Sequence, residues 1–383
     1  MRYRTLGATG FRVSEIGLGG EYLEGRTPNE VCSVVDAAME GGINLLDCFM
    51  SEPNVRTNLG LALRGRREKM QIQGHFRSIW ADGQYGRTLD IALIRTYFED
   101  LLRRLQTDYI DIGMVHMIDN EREYEALFHG PVMEYVQRLR QDGVIHSIGV
   151  SCHNPVTAMK AVKTGLVDVL MFSINPAYDV LPADAPRPRS LDSRFFDNVD
   201  SLNGLDPTRM ELYRCCESRN VGLTVMKSLA AGALLREETS PFGKALTVQQ
   251  CMHYALTRPG VSSVLVGMQT PEQVADCLRY EEMDAQELDY AFLFAKSPKF
   301  TMEGRCMYCN HCLPCTQHIN IAQVNKYLDM AELHGVTPTL RGHYEALEHR
   351  AGECVGCEVC QSQCPFQVKI VERMRRAEEL FGS

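Results

Sequence analysis

The chain has 383 residues, 45% of them hydrophobic and 23% charged, with a formal net charge of -9 at pH 7. That length allows one large core plus a small appendage, and the acidic balance without a long basic run argues against nucleic acid as a partner. No apolar run reaches the roughly 18 residues of a membrane span.

The amino terminus "MRYRTLGATGF" lacks the apolar core of a signal peptide, which predicts a cytoplasmic protein with reduced thiols. From residue 13 onward, short apolar runs alternate with longer amphipathic segments: "VSEIGLG", "INLLD", "MQIQGH", "YIDIGMVH", "HSIGVS", "VDVLMFS", "VGLTVM" and "SSVLVG" read as eight strands. Segments such as "NEVCSVVDAAMEGG" and "IRTYFEDLLRRL" carry apolar residues at helical spacing. Helix starts are marked by a capping residue followed by proline at Thr27-Pro28, Asn154-Pro155, Asp206-Pro207 and Thr270-Pro271. Glu30 and Gln273 are placed to complete capping boxes. Eight strand-helix units predict a (β/α)8 TIM barrel over residues 1–296, with a doubly wound sheet as the alternative. Residues 178–206, rich in Pro, Asp and Arg, form a long connection expected to act as a lid over the barrel mouth.

Residues 297–383 are expected to form a small, mainly α-helical ferredoxin-like domain. Cys306, Cys309, Cys312 and Cys315 follow C-x2-C-x2-C-x2-C; Cys354, Cys357, Cys360 and Cys364 follow C-x2-C-x2-C-x3-C, with Pro365 next. In the second pattern three thiolates hold one [4Fe-4S] cube and the fourth reaches to a neighbouring one. Two such runs predict two [4Fe-4S] clusters with crossed ligation: Cys306, Cys309, Cys312 and Cys364 on one, Cys354, Cys357, Cys360 and Cys315 on the other. Structural zinc is the alternative, although its four-cysteine sites usually pair two hooks across a longer loop. The remaining cysteines, mostly dispersed along predicted helices, read as small buried hydrophobes, with Cys48 and Cys152 set apart by their positions at strand ends.

Chemistry on a barrel belongs at the carboxyl ends of the strands. The polar residues there are Asp47, His75, His116, Ser151, Cys152, His153, Asn175 and Lys227. Histidines at three separate strand ends suggest a site; either they hydrogen-bond one another or, with Asp47 and Glu52, they hold a metal.

"RTLGATGFRVSEIGLGG", "GINLLDCF", "LQTDYIDIGMVH", "HSIGVSCHN" and "GVSSVLVGMQTPEQV" together resemble the successive landmarks of aldo/keto reductases, and the cysteine-bearing tail resembles that of such proteins from anaerobes. The resemblance implies a barrel that binds NAD(P)H and an Asp, Tyr, Lys, His tetrad whose tyrosine gives a proton to a carbonyl. Asp47 and His116 match the aspartate and histidine. Glu52 stands at the tyrosine's place and His75 at the lysine's. Catalytic roles are therefore expected for Asp47, Glu52, His75 and His116, with a carboxyl or a histidine as proton donor. The resemblance implies cofactor contacts at Ser151, Cys152, Asn175, Lys227, Gly267, Gln273 and Asp276. The expected function is an iron-sulfur oxidoreductase acting on a small organic substrate. Because cubes move single electrons and hydride carriers move pairs, a flavin is the alternative carrier and a redox partner protein is expected. A metal-dependent enzyme and a non-catalytic electron-transfer or docking protein are the alternative functions.

Overall fold

The computed structural model describes residues 1–183, 204–295 and 302–382. Eight parallel strands close into a barrel in chain order: Ile16–Gly19, Leu45–Cys48, Gln71–Phe76, Ile110–Val115, Ile145–Cys152, Val169–Ser173, Gly222–Met226 and Val261–Val266. Each falls on one of the runs marked in the sequence. Closure joins the last to the first, with Val264 opposite Ile16.

An antiparallel hairpin, Tyr3–Thr5 with Arg12–Ser14, precedes the ring. Its Leu6, Phe11 and Val13 pack into one apolar cluster with Leu45, Ile112, Met114, Val169, Met171 and Leu265. Leu45 and Val169 open their strands, so the hairpin covers the amino ends and leaves chemistry to the opposite rim. The helix Pro28–Glu40 starts as expected, with Thr27 and Glu30 completing a capping box. At the helix Pro271–Leu278 the second box is altered. Thr270 accepts from Gln273 N, but the Gln273 side chain reaches one residue further back, to Gln269 N at 2.7 Å.

One excursion had no counterpart among the expected elements. After the third strand the chain makes a second hairpin, Ser78–Ala81 with Gln84–Arg87. Asp82 and Gly83 form its two-residue turn with φ of 52° and 74°, the left-handed pair that matches strand twist.

Contacts divide the described chain into two compact units. The first comprises Met1–Ile174, Val221–Ser228 and Val261–Glu282 and contains the whole barrel; the second comprises Asn175–Asn220, Leu229–Gly260 and Met283–Ser383. The second unit is built on helices and buried polar pairs. Asp179 accepts from the hydroxyls of Tyr213 at 2.6 Å and Tyr254 at 2.8 Å. Fully buried Arg258 donates to the Tyr290 hydroxyl at 2.8 Å and to the carbonyl of Met307. Helices Ile321–His334 and Ile370–Phe381 pack together, with Arg373 donating to Asn325 and Asp329. Of the expected lid, residues 184–203 lie outside the described residues; its two ends are joined where Asp206 N donates to Asp179 O at 2.7 Å. Among the described residues no helix is long and apolar enough to cross a membrane.

Helix Pro53–Ala62 follows the strand that delivers Asp47, and it lies close against helix Ile91–Leu105. A Cβ on Gly60 would sit 2.1 Å from the Arg104 carbonyl and 2.9 Å from Leu105 Cα, both backbone atoms that have no rotamer to change. Gly60→Ala should therefore lower stability by about 1–3 kcal/mol. Gly342→Ala, in a helix where an added Cβ meets nothing within 4 Å, should instead be neutral or stabilising by roughly 0.5–1 kcal/mol. Urea midpoints of the two variants test this; equal midpoints would contradict the packing.

Candidate active site

Asp47 is buried in the second strand, and one of its oxygens, Oδ1, lies 2.9 Å from both Gln73 Nε2 and His75 Nε2. Gln73 and His75 alternate along the third strand, so period-2 geometry puts them on the same face. His75 Nδ1 lies 2.9 Å from His116 Nδ1, and His116 Nε2 lies 2.8 Å from the Tyr85 hydroxyl. Ser151 Oγ sits 3.2 Å from His116 Nδ1 while accepting Met117 N at 2.9 Å. Phe49 stacks on the His116 ring at 5.6 Å and 10°. Burial, followed by electrostatic opposition from the neighbouring His75, Arg77, Arg87 and His153 side chains, holds the His116 pKa well below its ordinary value. His116 is therefore neutral near pH 7.

Proton positions follow from the one partner that can only accept. An ionised Asp47 requires a proton on His75 Nε2, which leaves His75 Nδ1 as an acceptor for His116 Nδ1–H. His116 Nε2 then accepts the Tyr85 O–H. This tautomer assignment follows from the hydrogen-bond pattern. It also commits both ring nitrogens of His75. Among the described residues no three His, Cys, Asp or Glu side chains, at the barrel mouth or among the cysteine runs, converge as ligands of one ion.

A second group stands beside the first. Asp119 accepts from His153 Nδ1 at 3.0 Å, and His153 Nε2 lies 3.2 Å from Lys227 Nζ at the end of the seventh strand.

Of the four residues expected to be catalytic, Asp47, His75 and His116 are brought together. Glu52 caps helix Pro53–Ala62, its Oε2 accepting Val55 N at 2.6 Å. Two residues of the cluster were missed. Gln73 was signalled by its i, i+2 relation to His75, and Tyr85 by the Asp-Gly turn in "WADGQYG", a standard hairpin signature.

The residues expected around a nicotinamide fit in part. Ser151 lies in the cluster and Lys227 beside it. The Cys152 thiol is fully buried, donates to Ile118 O at 2.7 Å and is raised well above its ordinary pKa by burial. Asn175, in the second unit, accepts Tyr178 N at 2.8 Å as a helix cap. Gln273 accepts Gln269 N, and Asp276 pairs with Arg279 at 3.3 Å. A Cβ at Gly267 would meet the Tyr22 ring at 2.2 Å, so this backbone lies under an aromatic cover that an approaching phosphate would have to displace.

The cysteines of the two runs fall in two groups. Cys306, Cys309, Cys312 and Cys364 line one hollow, and Cys315, Cys354, Cys357 and Cys360 line another. The last cysteine of each run thus lies with the first three of the other. Six of the seven remaining cysteines, Cys48, Cys152, Cys215, Cys216, Cys251 and Cys277, are buried, and burial pushes the Cys48, Cys251 and Cys277 thiols up to about 12.

Removing the common acceptor should strand two buried donors. Asp47→Ala leaves Gln73 Nε2 and His75 Nε2 without their partner, at about 1–3 kcal/mol for each donor. A urea midpoint unchanged from wild type would contradict the geometry.

Residues 15–250 match the model of the aldo/keto reductase family. The chain is 29% identical over 286 residues to the uncharacterized oxidoreductase YqkF of Bacillus subtilis, covering 72% of this chain and 90% of that protein. It is 26% identical over 306 residues to L-galactose dehydrogenase of Arabidopsis thaliana, covering 71% and 86% respectively. The solved aldo-keto reductase AKR11C1 from Bacillus halodurans superposes with a TM-score of 0.57 at 23% identity, covering 75% of this chain and 94% of that one, a likeness of fold. With a closed eight-stranded parallel barrel and a family match over more than half its length, this chain belongs to the aldo/keto reductase family and is an oxidoreductase.

Proposed function

We propose that this protein is a cytoplasmic iron-sulfur oxidoreductase in which the barrel interconverts a small carbonyl compound and its alcohol. Residues 297–383 form a ferredoxin-like domain that holds two [4Fe-4S] clusters. The observation that carries this reading is the crossed grouping of eight thiols, Cys306, Cys309, Cys312 and Cys364 around one hollow and Cys315, Cys354, Cys357 and Cys360 around the other. Crossed grouping is the arrangement in which two cubes share two runs.

Family membership implies a nicotinamide as hydride carrier, and bound clusters would supply one-electron transfer. A flavin or a redox partner protein would link pair and single-electron traffic. Ser151 and Lys227 are the residues best placed to meet the nicotinamide. What the barrel contributes from its own chain is a buried carboxylate, two histidines and a tyrosine in hydrogen-bond sequence, a set able to hold and move a proton. The substrate class follows from that set. A proton donor at a mouth beside a hydride carrier suits a carbonyl oxygen, in keeping with a relative named as a sugar dehydrogenase.

Paired substitutions separate crossed from sequential ligation. In anaerobically purified protein with about eight irons, Cys306→Ser with Cys364→Ser should remove one cluster and leave about four irons. Cys306→Ser with Cys315→Ser should damage both and leave few. Iron and sulfide counts, with electron paramagnetic resonance of the reduced protein, give the answer. The reverse ranking would mean sequential ligation, and protein carrying stoichiometric zinc in place of iron would refute the clusters.

A further inference from the structure

We infer that Tyr85 is the residue that exchanges a proton with substrate, and that His116, His75 and Asp47 form a linear relay behind it whose single extra proton decides which way the Tyr85 hydroxyl faces. This rests on the reductase reading of the barrel and adds a donor that family position does not supply, since Glu52 stands where the family's tyrosine would be.

Exposure orders the chain of groups. Asp47 and His75 are each 2% exposed and His116 is 7%, whereas Tyr85 is 39% exposed, so of the four it is the one that can meet a substrate. The links are 2.8 Å from Tyr85 to His116, 2.9 Å from His116 to His75 and 2.9 Å from His75 to Asp47. Other rim candidates are committed elsewhere: Glu52 to a helix cap, Cys152 to two carbonyls, and His153 to Asp119 and Lys227. Burial raises the Tyr85 pKa, so the phenol keeps its proton at neutral pH. Phe49 stacks on His116 and meets the His75 and Tyr85 rings edge-on, which holds all three in place.

Two proton loadings satisfy the same heavy-atom distances. In the neutral relay every donor faces inward: Tyr85 O–H to His116 Nε2, His116 Nδ1–H to His75 Nδ1, His75 Nε2–H to Asp47. The Tyr85 lone pairs are then free to accept. With one added proton, His75 keeps Nε2–H on Asp47 and carries a second proton on Nδ1, donated to His116 Nδ1. His116 donates Nε2–H to the Tyr85 oxygen, and the Tyr85 O–H turns outward.

The step balances in both directions. A bound reduced nicotinamide would supply hydride to the carbonyl carbon; the C–O π pair would move to oxygen, and that oxygen would take the Tyr85 proton. The Tyr85 oxygen takes the His116 Nε2 proton, His116 Nδ1 takes the His75 Nδ1 proton, and the relay ends neutral. One proton leaves the relay and one appears on the alcohol. Oxidation runs the same transfers backward and loads the relay.

The charged and titratable groups around it come from several elements: Glu21 in the turn after the first strand, Asp47 on the second strand, His75 on the third and Arg77 just past it, Arg87 on the hairpin and His153 after the fifth strand. Glu123 pairs with Arg77 at 3.6 Å and Arg87 at 3.2 Å. Arg77, Arg87 and His153 oppose uptake of the extra proton, while Asp47 favours it. Reduction needs the loaded form and should slow as pH rises; oxidation needs the neutral form and should quicken.

The test is imidazole nitrogen NMR of full-length protein labelled in histidine, from about pH 5.5 to about 9.5, in wild type and Tyr85→Phe. At high pH His116 should be the Nδ1–H tautomer and His75 the Nε2–H tautomer, the pair should take up one proton together, and Tyr85→Phe should shift that transition. A His116 Nε2–H tautomer at high pH, or a transition indifferent to Tyr85→Phe, overturns the relay. With 4-nitrobenzaldehyde and NADPH as probes, Tyr85→Phe should lower kcat by at least about 100-fold; an unchanged kcat overturns Tyr85 as donor. Wild-type protein inert toward aldehydes and alcohols, yet with the expected tautomers, counts against the reductase reading alone.

Discussion

A closed ring of parallel strands has no free edge, and this constraint generates the site. Every strand must run the same way round the barrel, so all eight deliver their carboxyl ends to one rim, and register decides which residues meet there. Asp47 faces Gln73 across the second and third strands, and Gln73 faces Ile112 across the third and fourth. Two residues further along the third strand His75 lies opposite Met114 of the fourth, and His116 directly follows that strand's last residue, Val115. Their hydrogen bonds therefore run between neighbouring strands, and the order Asp47, His75, His116 is the order of the ring. A slip of one residue in any of the three would turn its side chain to the other face.

Burial then sets the electrostatics. Asp47 is nearly sealed from solvent, and a carboxylate in that position must be satisfied by donors; Gln73 and His75 both supply them to the same oxygen. Once Asp47 fixes the His75 proton, each successive partner has one role left. Direction propagates outward to Tyr85 without any further charge. In the second unit buried polarity serves a different purpose, with Asp179 and Arg258 cross-linking tyrosines and a backbone carbonyl near the first cysteine run.

Much of this was legible in the sequence, for identifiable reasons. The eight strands stood out because each is short, apolar and followed by a capping signal such as Thr27-Pro28. Asp47, His75 and His116 stood out because polar residues at strand ends have one place to go. Each hollow gathers three thiols of one run and the last thiol of the other. Tyr85 was missed although its Asp-Gly turn was in view, because an excursion between barrel elements has no place in the strand-helix rhythm. Glu52 was expected as a proton donor from its position relative to Asp47; Pro53 after it marks the start of a helix, and a side chain there meets backbone amides first. Gln273 shows the limit of pattern reading, since its side chain bonds Gln269 N, one residue from the amide a capping box would use.

The central claim is that one chain joins a reductase-family barrel to a pair of cubes held by exchanged cysteines. Anomalous X-ray diffraction at the iron edge from anaerobically grown crystals of the full chain tests it most directly. The account predicts two separate iron centres, one bounded by Cys306, Cys309, Cys312 and Cys364 and the other by Cys354, Cys357, Cys360 and Cys315, with no anomalous peak among Asp47, His75 and His116. A single-atom peak in each cysteine hollow, an iron centre enclosed by one run alone, or a metal at the barrel rim would contradict it.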